Sequence, residues 1–207
     1  MKTLFVPGCT IKSYKPELLT RVSGFLSDAG IIDEVNFECC KSHPKIEKNA
    51  VLITCCPGCS HQFETDHPDL TVLSLWSVLL KTDFPFPDYH GERMSIHDSC
   101  RARNRNSAEI QNSARKICEK MNIKLIEPEY TGDNSRCCGG SAADLETRRK
   151  MAMDRAGDFQ EKNVVTYCTG CVRSFSLTDV TPRYLLDLLF EEQTGGLYPP
   201  GFEKQGI

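Results

Sequence analysis

The chain has 207 residues, enough for one large domain or two of roughly 100 residues each. With 40% hydrophobic and 26% charged residues it has the composition of a globular protein with a real core, and neither a disordered nor a collagen-like chain fits. A net charge of −3 gives no electrostatic reason to expect a nucleic-acid partner, and no apolar run approaches the ~20 residues that span a bilayer.

Met1-Lys2-Thr3 opens onto Leu4-Phe5-Val6, an apolar stretch that Pro7 cuts too short for a signal-peptide core, so the expected compartment is the cytoplasm. Thr3–Val6 reads as a strand running into Pro7-Gly8-Cys9. The helix that follows has Pro16 at an early position, apolar residues at Leu18, Leu19, Val22, Phe25 and Leu26, and Gly30 as its stop. A short strand around Ile32–Val35 leads to Cys39-Cys40. The buried-type strand Val51–Thr54 runs into Cys56-Pro57-Gly58-Cys59, and an apolar helix, Leu75–Leu80, closes this half. The segment Phe84-Pro85-Phe86-Pro87-Asp88 reads as a linker.

The same order then returns. Met94–His97 is a strand running into Asp98-Ser99-Cys100, and the next helix carries Ile110, Ala114, Ile117, Cys118 and Met121 on one face. A strand at Lys124–Ile126 leads to Cys137-Cys138, and a helix is predicted from about Asp144 to Phe159. The strand Val164–Tyr167 then meets Cys168-Thr169-Gly170-Cys171, and the helix Tyr184–Leu189 closes the repeat. Strands alternating with helices predict an α/β fold of two repeated cysteine-rich halves, each a small, mainly parallel sheet flanked by helices. The expected divisions are 1–88 for a shortened N-terminal half, 89–194 for the C-terminal half, and 195–207 for an extended tail. In parallel sheets, sites form at the carboxyl ends of strands, and Cys9, Cys56, Cys100 and Cys168 all fall just past one.

Twelve cysteines in a reducing compartment argue for metal or redox chemistry over a disulfide framework. Three pairs are directly adjacent, at 39–40, 55–56 and 137–138, and neighbouring cysteines rarely reach disulfide geometry. Each half offers one cysteine, then a pair, then Cys-x-x-Cys: Cys9, Cys39, Cys40, Cys56 and Cys59, and again Cys100, Cys137, Cys138, Cys168 and Cys171. Thiolates are the ligands of iron–sulfur clusters, and a Cys-x-x-Cys at a helix start lies near unpaired N–H groups that lower thiol pKa. Adjacent cysteines can share a site only in a tight turn, for which Gly139-Gly140 supplies the backbone freedom. Five sulfurs exceed the four of a tetrahedral zinc centre or an ordinary cubane cluster.

This order, Cys … Cys-Cys-Gly … Cys-x-x-Cys, resembles the cysteine-rich CCG domain of the disulfide-cleaving component of heterodisulfide reductase, which also occurs in glycolate oxidase and lactate-utilisation iron–sulfur proteins. The resemblance runs from Cys9 to about Leu189. It implies a noncubane 4Fe–4S cluster on each five-cysteine motif, with a disulfide substrate cleaved between the two clusters. Cys100, Cys137, Cys138, Cys168 and Cys171 match the motif, with Gly139 in the family position. The first half departs from it. Lys41 replaces the glycine, Cys55 adds a thiol, and 15 residues separate Cys40 from Cys56 where 29 separate Cys138 from Cys168. The first site could hold a second cluster, a zinc ion, or nothing.

The resemblance thus implies an iron–sulfur redox subunit that takes electrons from an iron–sulfur or flavoprotein partner and acts on a small disulfide or thiol. The alternatives are a non-catalytic electron-transfer subunit of a larger oxidoreductase and a structural zinc protein. Arg101, Arg103 and Arg105 fit a substrate clamp or, more simply, a solvated loop. His97 is a candidate for tuning the cluster by hydrogen bonding, or a satisfied strand-end histidine. His61 is a candidate ligand only if the first site takes zinc. Cys118 and Trp76 are expected in the core. No phosphate loop or dinucleotide fingerprint is present, so a flavin or nicotinamide, if used, belongs to a partner.

Overall fold

The structure is a computed structural model that describes residues 2–38, 40–103 and 106–195. The chain divides into two compact units, Met1–Phe84 and Pro85–Ile207, so the break falls within the proline-rich segment. Of the tail expected from 195 onward, residues 196–207 lie outside the described residues.

The N-terminal unit contains β1 (Thr3–Val6), α1 (Cys9–Tyr14), α2 (Pro16–Asp28), β2 (Glu34–Val35), β3 (Val51–Thr54), α3 (Pro57–Asp66), β4 (Thr71–Ser74) and α4 (Leu75–Leu79). Its four strands are all parallel, in the order β2-β1-β3-β4. Such a sheet is covered on both faces, so its central strands are apolar throughout. Every residue of β3 is buried accordingly. On α2 the apolar residues recur at helical spacing, and Leu18, Leu19, Val22 and Leu26 are all buried. Covering a leucine in this way stabilises the fold by roughly 1.5–3 kcal/mol. Phe25 adds an edge-to-face contact with Phe84, their ring centroids 5.0 Å apart.

The C-terminal unit repeats the plan with β5 (Arg93–His97), α5 (Ser107–Lys120), β6 (Lys124–Ile126), α6 (Leu145–Ala156), β7 (Asn163–Thr166), α7 (Thr169–Phe175), β8 (Thr181–Tyr184) and α8 (Leu185–Leu188). Its strands are again parallel, in the order β6-β5-β7-β8. The two-half α/β fold read from the sequence is therefore present, with both sheets wholly parallel among the described residues.

Two strands were not expected. β4 and β8 lie at the sheet edges directly before the closing helices, and Pro182 within β8 reads as a strand breaker. An edge strand tolerates a proline because one side of its backbone needs no ladder partner. The helix predicted with Pro16 at an early position is α2, which starts at Pro16, and the short α1 ahead of it was not expected. Between Cys40 and β3 the short N-terminal connection holds only a 3-10 turn, Cys40–Ser42, where the C-terminal unit has α6. Among the described residues no helix is long and apolar enough to cross a membrane.

Candidate metal centre

In both sheets the chain reverses its direction of winding between the first and third strands in sequence, β1 and β3 or β5 and β7. The loops leaving the carboxyl ends of those two strands diverge there and open a crevice. In the C-terminal unit these are the loops that carry Cys100 and Cys168. Cys168 is the N-cap residue of α7, and the Cys171 N–H closes the Cys-x-x-Cys turn on the Cys168 carbonyl at 3.0 Å.

The adjacent cysteine pair arrives from the long connection between β6 and α6. Gly139 adopts φ +75°, which only glycine takes readily, and a Cβ there would lie 2.9 Å from the Arg148 carbonyl oxygen and from Met151 Cβ. Gly140 passes equally close to the Cys-x-x-Cys, since a Cβ on it would stand 3.0 Å from the Gly170 carbonyl oxygen. The glycine turn thus sets Cys138 against Cys171 of α7 and Cys137 beside Cys100. Cys100 Sγ is 3.7 Å from Cys137 Sγ, and Cys138 Sγ is 3.2 Å from Cys171 Sγ. The Gly139 N–H donates to Cys137 Sγ at 3.4 Å, and Cys168 interacts with Cys171 through its side chain.

These sulfurs compete for protons. Hydrogen bonding with Cys137 and then burial push the Cys100 thiol up, whereas Cys137, receiving hydrogen bonds from Cys100 and Cys138, goes down. The Cys171 thiol is raised by Cys138, Cys168 and burial together. Sulfurs this close cannot all ionise without a cation among them, and a thiophilic metal supplies one. The donor set therefore fits a metal or iron–sulfur group, with Cys100, Cys137, Cys138, Cys168 and Cys171 as the residues to hold it. One ring nitrogen of His97 and the Sγ atoms of Cys138 and Cys171 lie within 4.8 Å of one another.

Under the crevice sits a residue whose importance is not visible in the sequence. Asp98 is fully buried and accepts hydrogen bonds from Arg115 at 2.8 and 3.1 Å, Tyr167 Oη at 2.7 Å and the Gly132 N–H at 2.7 Å. Burial alone would push its carboxyl up; the Arg115 hydrogen bonds and charge, with Tyr167 and Gly132, bring it down to about 2. Tyr167 and Asp98 tie the loop after β7 to the loop after β5. In the N-terminal unit the same two positions are Cys55 and Pro7, and Cys55 Sγ donates to the Pro7 carbonyl at 2.9 Å. The extra thiol of that half thus braces two loops.

The N-terminal unit assembles part of its expected set. Cys59 bonds through its thiol with Cys40 and Cys56, which push it up together with burial. A Cβ on Gly8, at φ +90°, would lie 3.0 Å from Cys59 Sγ, so the loop after β1 presses on the Cys-x-x-Cys. Cys9 is exposed at the start of α1, and Cys39 lies outside the described residues. Among the described residues no three ligand atoms of this unit gather within 4.8 Å. His61 is exposed on α3. Arg101 is exposed, Arg103 donates to the Ser135 carbonyl, and Arg105 lies outside the described residues. Cys118 and Trp76 are buried, as expected of core residues. No described cysteine is in a disulfide.

Neither a curated protein nor a solved structure matches the chain. A family model described as a cysteine-rich domain, CCG, matches residues 94–176, from β5 through α7, and takes in all five cysteines of the C-terminal centre. The C-terminal unit is thus similar to a cysteine-rich domain, with a sulfur-rich site of metal-binding type at its strand ends.

Proposed function

We propose that this chain is an iron–sulfur redox subunit whose C-terminal unit holds a noncubane 4Fe–4S cluster on Cys100, Cys137, Cys138, Cys168 and Cys171. It takes electrons from an iron–sulfur or flavoprotein partner and acts on a small disulfide or thiol, as the heterodisulfide reductase that its motif resembles does. One observation carries the reading: sulfurs 33 and 37 positions apart in the chain pair up in a crevice that a cysteine-rich domain match spans.

When bound, such a cluster supplies electrons one at a time and iron able to take a sulfur ligand. The rest falls to the chain. The Gly139-Gly140 turn orients Cys138 toward Cys171 and Cys137 toward Cys100. The Asp98–Tyr167 hydrogen bond holds the two ligand loops at a fixed separation. Burial of Cys138, Cys168 and Cys171 excludes water from the inner side, while the half-buried Cys100 and Cys137 leave the side a substrate sulfur would approach.

The test is metal and sulfide analysis of the full chain purified without oxygen, followed by reduction of small disulfides with an artificial donor. Iron with acid-labile sulfide is the expected content, and turnover is expected on at least one disulfide. Zinc without iron overturns the reading. An iron-loaded sample that reduces no disulfide leaves a cluster-bearing electron carrier.

A further inference from the structure

His97 ends β5 and is 1% exposed. Its ring is wedged edge-on against Phe175 at 4.9 Å and Phe159 at 6.2 Å, which fixes its plane. Arg155 Nε donates to its Nδ1 at 3.2 Å. That guanidinium is itself 1% exposed, pairs with Asp158 at 3.0 Å and stacks on Phe159. Burial, and then the Arg155 charge, hold the imidazole far toward its neutral form, down to about 3.

A guanidinium has only donors to offer, so the Nδ1 it meets must present a lone pair. A neutral imidazole carries one proton, which must then sit on Nε2. That nitrogen is buried and has no hydrogen-bond partner among the described residues, although the ring stands among the cysteine sulfurs. A protonated Nε2 has no lone pair for a metal, but it can donate to sulfur.

We propose that His97 is a positioning residue that donates its Nε2–H to a sulfur of the bound centre, held in that tautomer by Arg155, and is not itself a metal ligand. The acceptor atom is a cysteine thiolate or an inorganic sulfide. A hydrogen bond to sulfur offsets the charge added on reduction, so the donor raises the potential of the centre. The N-terminal unit has no counterpart. Val6 stands opposite Thr54 in the register where His97 stands opposite Thr166, each partner being two residues before its Cys-x-x-Cys.

The redox part of this inference rests on the cluster proposed above; the tautomer does not. The first arm is therefore nitrogen NMR of the full chain labelled at histidine, reduced and metal-free and again loaded with zinc. A proton on Nε2 with a bare Nδ1 is expected in both. A proton on Nδ1 with a metal-shifted Nε2 overturns the proposal. The second arm is the midpoint potential of the anaerobic iron-loaded protein, compared with His97→Leu and His97→Gln. The glutamine amide can replace the donor, so the Leu variant should fall in potential and the Gln variant should stay near wild type. Equal shifts in both overturn the donor role. A wild-type chain that takes up no iron removes the cluster instead, and the tautomer still decides between donor and ligand.

Discussion

Replacing Gly139 with Ala separates backbone strain from crowding, because a second glycine of the same unit provides the control. Gly139 and Gly91 both hold a left-handed φ, +75° and +78°. A Cβ on Gly91 meets nothing within 4 Å, whereas one on Gly139 meets the Arg148 carbonyl oxygen and Met151 Cβ at 2.9 Å and Arg148 Cα at 3.2 Å. Gly91→Ala should then cost only the left-handed conformation, about 1–2 kcal/mol. Gly139→Ala adds overpacking against a helix backbone that cannot yield as a side-chain tip would, about 1–3 kcal/mol more. The sum is about 2–5 kcal/mol, and the same displacement should loosen the Cys137–Cys138 turn. Urea unfolding of both variants measures the difference, and iron content after anaerobic reconstitution reports on the site. Equal destabilisation of the two would refute the close approach of the glycine turn to α6.

Asp98→Ala removes the acceptor shared by Arg115, Tyr167 and the Gly132 N–H, and should destabilise the C-terminal unit by about 3 kcal/mol in urea unfolding. Cys118 is wholly buried, and burial raises its thiol from 9.0 to about 12. Its folded form keeps the proton where the unfolded chain loses it, so its contribution is intact below about pH 9 and declines as pH rises toward 12. At about pH 10 the loss relative to about pH 8 should be about 1.4 kcal/mol, measured as the difference between wild type and Cys118→Ala. Paired Cys168→Ala and Cys171→Ala substitutions should remove the iron of the C-terminal unit. Cys55→Ala should leave the metal content unchanged and cost about 1 kcal/mol for the lost bond to Pro7.

The strands that carry the cysteines were legible because each is a short apolar run ending at a Pro-Gly-Cys, Asp-Ser-Cys or Cys-x-x-Cys signal. Helical spacing on α2 and α5 was equally plain. The edge strands β4 and β8 were hidden, since Thr71–Ser74 merges into the apolar helix after it and Pro182 mimics a turn. At the site, the role of Gly139-Gly140 could be read because a cysteine pair needs a turn to converge. Asp98 and Arg155 could not, because their importance lies in burial beside partners 17 or more positions away, and an isolated acid or arginine in sequence resembles any surface charge. Tyr167 likewise reads as one more apolar strand residue until its hydroxyl is seen to reach Asp98.

The loops that carry Cys100 and Cys168 spring from β5 and β7, the inner pair of a sheet whose margins are the three-residue β6 and the proline-bearing β8. Local opening of a domain begins where ladders are short and one-sided, so amide hydrogens of the margins should exchange with deuterium well before those of the inner pair. A thermal excursion that peels away β6 or β8 therefore leaves Cys100 and Cys168 seated on strands that have not yet moved.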